Sequence, residues 1–323
     1  VLATLAKPVR TENLLKTLAR LTAPLCVALL AVLPAAAQTR DFSFQVPTRT
    51  EVVAELRLAS PGSEWAAAGR EAAMATVTLD NSERQQVMVF GGPDERAYPV
   101  FLGELAPGAH PLRIERDARF SAQGSGLAIA GARFQPLAST DPYALAVAHA
   151  PVLLASADTI GQFTDVPLLA YYTRGRDAAG PWLEYTVIFS NEDGGTSTRD
   201  LMARWGRTTD VEYIYRVWLN ARGEPLKTLI QTREHRDVPY EGQRFGRHPI
   251  LVPVTDNNMV EPAPPGAAPI RYQLAPVFAD LSAGSRELVM DQHPVTYQVS
   301  AKELQREAKL RPAASFEDRK SVV

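Results

Sequence analysis

The chain reads as all-β, with two β-sandwich-like domains after a cleaved leader. Three observations predict this. Apolar residues recur with a period of two over short stretches, most cleanly at 211–219. There Val211, Tyr213, Tyr215, Val217 and Leu219 share one face, and Glu212, Ile214, Arg216 and Trp218 share the other. Turn clusters separate the short runs: Asp80-Asn81-Ser82, Gly91-Gly92-Pro93-Asp94 and Pro107-Gly108. The length beyond the leader suits about two domains of about 100–200 residues each.

Residues 1–37 have the pattern of a secretory signal peptide. Lys7, Arg10, Lys16 and Arg20 precede an apolar run at 21–33, followed by Pro34 and an Ala35-Ala36-Ala37 cleavage site. The apolar run is shorter than the roughly 20 residues a membrane span needs. The expected location is therefore secreted or periplasmic, with no membrane span after signal cleavage. Cys26, the single cysteine, lies in this leader, and Ala23-Pro24-Leu25 before it is not a lipoprotein sequence. The chain beyond it has no disulfide, no thiolate nucleophile and no cysteine-based zinc site. It carries 30 Lys and Arg against 35 Asp and Glu, a formal charge near −5. With no Lys/Arg stripe, nucleic acid is excluded as an expected partner.

An N-terminal β-sandwich domain is expected over 38–141, with strands near 51–58, 75–79, 86–90, 98–102, 110–114 and 127–130. Tyr98 to Leu105, then Ala106-Pro107-Gly108-Ala109-His110, resembles the strand–turn–strand of extracellular jelly-roll and carbohydrate-binding-like sandwiches. Trp65 reads as an apolar plug at the sandwich end. Pro142 marks the boundary, and 143–150 a short helix.

A C-terminal β-rich domain is expected over 142–305, with strands near 151–155, 166–172, 182–190, 211–219, 226–232, 249–254 and 270–276. Strand 182–190 is apolar on both faces, as between two packed layers. Asp200 reads as the N-cap of a short helix ending at Trp205. Trp182, Trp205 and Trp218 read as core. Residues 306–323 form a charged tail, with a helical pattern at 303–310.

The turn 220–225 implies a hairpin. If Leu219 faces Leu226, Glu212 faces Arg233 and Asp210 faces His235, all on one sheet face. A general acid/base set of Asp210, Glu212 and His235, or a divalent cation held by oxygen and imidazole, would suit that cluster. Cross-strand ion pairing at a sheet rim is the alternative. Arg233, His248, Asp256 and Asn258 are further candidate binding residues. Asn191 to Thr196 reads as a tight turn, and His149 as a buried partner of backbone carbonyls. No G-x-S-x-G, H-E-x-x-H, P-loop or G-x-G-x-x-G motif occurs.

The second half resembles the β-rich family named after vacuolar protein sorting-associated protein 62. The resemblance is carried by His149 to Leu154 with Asp158 and Asp165 to Leu169, by Thr209-Asp210-Val211-Glu212, and by His235 with His248 to Val252. Thr209 and Val211 stand where that family has Gly and Trp, and Asp256-Asn257-Asn258 replaces its Ser-His-Ala. The resemblance implies a β-rich fold and singles out Asp210, Glu212 and His235, with no catalytic mechanism attached. The resulting expectation is an exported binding or interaction module of the cell envelope, its partner a glycan or another envelope component. The alternative is a secreted hydrolase of glycans or esters using the carboxylate/histidine set, with a divalent cation as candidate cofactor. A purely structural envelope protein would show no concave polar pocket.

Overall fold

A computed structural model describes residues 38–155, 159, 162–192, 197–266, 270–282 and 284–309. The expected leader and residues 310–323 of the tail lie outside them.

Seven strands open the described chain: β1 (Thr39–Val46), β2 (Thr50–Ala59), β3 (Met74–Leu79), β4 (Glu83–Met88), β5 (Arg96–Leu105), β6 (Gly108–Arg116) and β7 (Ala128–Pro136). They form two antiparallel sheets, of order β1-β6-β3-β4 and β5-β2-β7. Val52, Leu56, Leu58, Val77, Leu102 and Ile114 fill the space between them, as in a β-sandwich. The expected strand–turn–strand at 98–114 crosses from one sheet to the other. His110 pins that turn, with Nδ1 2.8 Å from Asp80 Oδ2 and Nε2 2.9 Å from the Ala106 carbonyl. Strand β1 adds an element absent from the expected strand list. Only Phe44 and Val46 of its side chains are fully buried, so its apolar alternation is brief.

Helix α1 (Pro142–Ala148) follows, with Asp141 as its N-cap accepting from the Tyr143 amide and Pro142 supplying the helical φ. The remaining strands are β8 (Val152–Leu154), β9 (Pro167–Asp177), β10 (Gly180–Phe189), β11 (Val211–Leu219), β12 (Pro225–Gln231), β13 (Asp237–Pro239), β14 (Arg244–Phe245), β15 (His248–Pro253), β16 (Val260–Pro262), β17 (Arg271–Tyr272) and β18 (Val277–Phe278). Helix α2 (Thr198–Trp205) lies between β10 and β11; α3 (Glu287–Gln292) and α4 (Val295–Arg306) follow β18. One sheet has the order β13-β12-β11-β10-β9-β18 and another β14-β15-β8-β17, with β16 on β15. Strand β10 is buried along most of its length, as its two apolar faces imply.

The helices correct the sequence reading in two places. The N-cap of α2 is Ser197, whose Oγ accepts from the Asp200 amide, while the Asp200 carboxylate accepts from the same hydroxyl. Helix α4 begins at Val295, well before the helical pattern expected at 303. Its Glu303 is buried and accepts from the Trp65 indole N–H at 3.1 Å.

Trp65 is 1% exposed and meets Phe163 edge-on. A single core cluster joins Val53, Phe101 and Trp65 to Tyr185, Tyr215 and Val299. The segment after β17 also runs along β5: Phe101 N–H donates to Gln273 O and Ala275 N–H to Pro99 O. No helix among the described residues is long and apolar enough to cross a membrane.

Candidate functional site

The site is built where β11 begins. Residues 207–211 enter the sheet under α3 and α4, which hold them from one side. Gly206, in the left-handed region at φ 65°, ends α2 and turns the chain. Arg207 Nε then donates to Glu287 at 2.9 Å, and its guanidinium also donates to the Thr209 carbonyl. Thr208 shares a 2.8 Å hydroxyl contact with Ser300, and the Thr209 hydroxyl donates to Met290 Sδ. Arg286 donates to the Val211 carbonyl at 2.6 Å. Met290 packs with Val211, Ile188 and Tyr171 in a separate small core. The acids of this strand therefore sit on a braced backbone.

Asp210 and Glu212 point to the same side, as residues two apart on a strand must. Their side chains hydrogen-bond to each other. Asp210 is 1% exposed, and Asn258 Nδ2 donates to its Oδ2 at 3.1 Å. Burial raises the Asp210 pKa well above the carboxylate range, and the charges of Glu212 and Glu192 raise it further. Burial also raises Glu212, against the hydrogen bond from Asp210 and the nearby Arg286, His235 and Arg207. The two carboxyls therefore titrate as one pair, which burial keeps protonated above the ordinary carboxylate range. Glu192 is raised too, by burial and by Glu212, with Arg207 opposing.

These groups line one cleft of about 460 Å³, together with Trp205, Tyr213, Gln231, His235, Asn257, Arg207 and Arg286. Of the sequence candidates, Asp210, Glu212 and His235 meet here. The route differs from the expected one. Strands β11 and β12 keep the expected register from Arg216↔Leu229 to Trp218↔Lys227, and a bulge follows at Leu219↔Pro225. Beyond Leu229 the return strand pairs with β13 instead and turns tightly: Thr232 N–H donates to Arg236 O, and His235 N–H to Thr232 O. His235 takes φ 54° in that turn and enters the cleft from its rim.

Four candidates stand differently from the expectation. Arg233 does not face Glu212; the same turn sends it outward to Glu261, with Nε 3.0 Å from Oε1. His248 is buried elsewhere, stacked on Phe101 at 4.4 Å, with Nδ1 2.9 Å from Ala150 O and Nε2 3.5 Å from Glu51. Asp256 lies exposed at a loop tip outside the cleft. Asn258 is a buried support for Asp210 and not a rim contact. His149 is buried with Nε2 3.0 Å from Gly223 O, as read from the sequence.

Sequence reading missed Glu192, Arg207, Arg286 and Trp205. Glu192 reads as part of a turn, although it lies just beyond β10, the strand beside β11, and so enters the cleft near Glu212. Trp205 is 42% exposed at the cleft, with Arg207 over its ring at 5.3 Å, and is not a core residue. Trp218 is buried, as expected.

A divalent cation does not fit this donor set well. Among the described residues no group of three or more His, Cys, Asp or Glu is arranged to hold a metal ion. Asn258 also presents its amide N–H₂, a donor, to Asp210.

No known family profile matches the chain, and no curated protein does. Solved structures similar to parts of it include three carbohydrate-related proteins. One is a family GH115 4-O-methyl-alpha-glucuronidase with specificity for decorated arabinogalactans, 16% identical over 31% of this chain and 13% of its own, TM-score 0.23. The second is the GH26-CBM35 beta-(1,4)-mannanase of Podospora anserina, 16% identical over 32% and 20%, TM-score 0.23. The third is NLPPya in complex with mannosamine, 11% identical over 50% of this chain and 94% of its own, TM-score 0.31. The chain thus spans less than a quarter of the first two proteins' length.

Proposed function

We propose that this is an exported binding module of the cell envelope, and that the Asp210–Glu212 cleft takes a polyhydroxylated ligand, a glycan segment. The observation that carries this reading is the pairing of the Asp210 and Glu212 carboxyls in an open cleft also lined by Arg207, Arg286, His235 and Trp205. Such a pair offers Glu212 as a strong acceptor, while Arg207, Arg286 and His235 line the same space as donors. Trp205 adds a half-exposed ring at the rim, a surface on which an apolar sugar face stacks.

The same observation ranks the hydrolase reading second. Paired catalytic carboxyls of glycosidases stand about 5–5.5 Å apart in retaining enzymes and about 6.5–9.5 Å apart in inverting ones. Two directly hydrogen-bonded carboxyls are closer than either. In a hydrolase here, Asp210 would tune Glu212 while His235 or Glu192 served as the second group.

The test is glycan-array binding by the wild type and by Glu212→Gln and Trp205→Ala variants. Saturable wild-type binding, weakened at least tenfold in both variants, is expected. Unchanged binding in both variants would place the ligand elsewhere. Turnover of a bound glycan, lost in Glu212→Gln and His235→Gly, would favour the hydrolase.

A further inference from the structure

A second cavity, sharing no residue with the acidic cleft, opens where β4 and β5 face the segment after β17. Its volume is about 400 Å³, within the range of small-molecule sites. Met88, Phe90, Val100, Leu168, Leu274 and Val277 give it apolar walls. The main-chain pairing of Phe101 with Gln273 and of Ala275 with Pro99 fixes its floor. An open apolar hollow of this size keeps hydrocarbon surface in water that an apolar ligand would cover.

One cation stands on its wall. Arg96 makes no ion pair with any acid among the described residues, and its Nε is shielded from solvent with no hydrogen-bond partner. Burying a guanidinium N–H without an acceptor is costly. Gly91 allows the arrangement: a Cβ there would lie 2.4 Å from Arg96 Cδ, so the arginine stem lies flat against that turn. Tyr98 lines the same wall. Its hydroxyl oxygen accepts from the Gly91 amide at 2.8 Å, which leaves its proton for a further acceptor. A guanidinium fork beside a phenol hydroxyl is a donor set for a carboxylate.

We propose that this cavity binds a single-chain amphiphilic carboxylate, a fatty acid, with its tail over the floor made by β5 and the paired 273–275 segment, among Met88, Phe90, Leu168 and Val277, and its head on Arg96 and Tyr98. The apolar walls select the chain and the unpaired arginine selects the charge.

Isothermal titration of the full chain with decanoate, decanol and acetate, each below any micelle concentration, tests this. One-to-one decanoate binding is expected, with decanol and acetate each at least tenfold weaker. Arg96→Gln, at a half-exposed position, should bring decanoate down to the affinity of decanol. Val277→Trp, which fills the cavity from a half-buried edge strand, should weaken both. Asp210→Asn, in the other cleft, should change neither. Absence of decanoate binding, equal affinity for decanol in the wild type, or an Arg96→Gln variant that binds decanoate like the wild type would overturn the proposal.

Discussion

At the scale of single residues, the acid pair stores free energy that the fold alone does not need. Burial raises both carboxyl pKa values above their unfolded ones. The folded state therefore holds its proton more tightly than the unfolded chain. The stability this contributes is fully present below the unfolded carboxylate pKa of about 4 and is lost as pH rises through the folded values. Asparagine at 210 imitates the protonated acid: its amide can donate to Glu212 while its oxygen accepts from Asn258. Asp210→Asn should accordingly be more stable than the wild type at pH 8, by about 0.5–2 kcal/mol, the size of a typical single stabilising substitution. The difference should shrink toward pH 4, as urea denaturation at both pH values would show. Asp210→Ala should instead be destabilised by about 1–3 kcal/mol, because the buried Asn258 amide loses the nearer of its two acceptors, keeping only Asp165 at 3.4 Å. His235 allows a second separation of chemistry from structure. A non-glycine residue in the left-handed region costs about 1–2 kcal/mol, part of which glycine gives back as chain entropy. His235→Gly should thus fold with equal or slightly greater stability, within about 1 kcal/mol, in a thermal melt. It should nevertheless lose the imidazole from the cleft.

At the scale of elements, the strands were far more legible than their junctions. Strand β11 was readable because Val211, Tyr213, Tyr215, Val217 and Leu219 alternate without interruption. The 220–224 turn was readable because Gly223, at φ 74°, meets a requirement that few other residues meet. The turn at 232–236 gave no such signal, since its left-handed position is filled by His235. A ladder read from periodicity alone therefore runs too far and sets Arg233 opposite Glu212, whereas the turn sends Arg233 to Glu261. Helix α3 escaped because it is only six residues long, and the first turns of α4 escaped because its buried face includes the polar Thr296, Ser300 and Glu303, the last two satisfied by the distant Thr208 and Trp65. Those helices brace the site. Met290→Ala should cost about 2–5 kcal/mol as a buried large-to-small change. It should also loosen the cleft, measured as faster amide exchange at Thr209 and Val211. The α2 cap is a smaller and independent contribution: Ser197→Ala should cost about 0.5–2 kcal/mol in the same denaturation assay.

At the scale of the whole molecule, Trp65 and Glu303 tie the sandwich to the last helix. Burial raises the Glu303 carboxyl to about 7, with hydrogen bonds from neighbouring hydroxyls and the Arg306 charge opposing. Its contribution is present below the unfolded carboxylate pKa and fades as pH rises through about 7. Glu303→Gln should gain on the wild type between pH 5 and pH 8, and thermal melts at both pH values would show it. Because one core cluster crosses from Val53 to Val299, Trp65→Ala should lower the melting of both halves together, by about 3–5 kcal/mol, and not split the transition. Two cavities of opposite character stand on this framework, one lined by acids and one apolar with Arg96 on its wall. The location of one proton tests the functional reading of the acidic cleft most directly. Carbon-13 NMR of the side-chain carboxyls, titrated from pH 3 to pH 9, reports it. Asp210 should stay protonated well above its ordinary range, and Glu212 should shift when an array-identified glycan is added. Ordinary titration of both carboxyls near pH 4, with no response of Glu212 to that glycan, would contradict it.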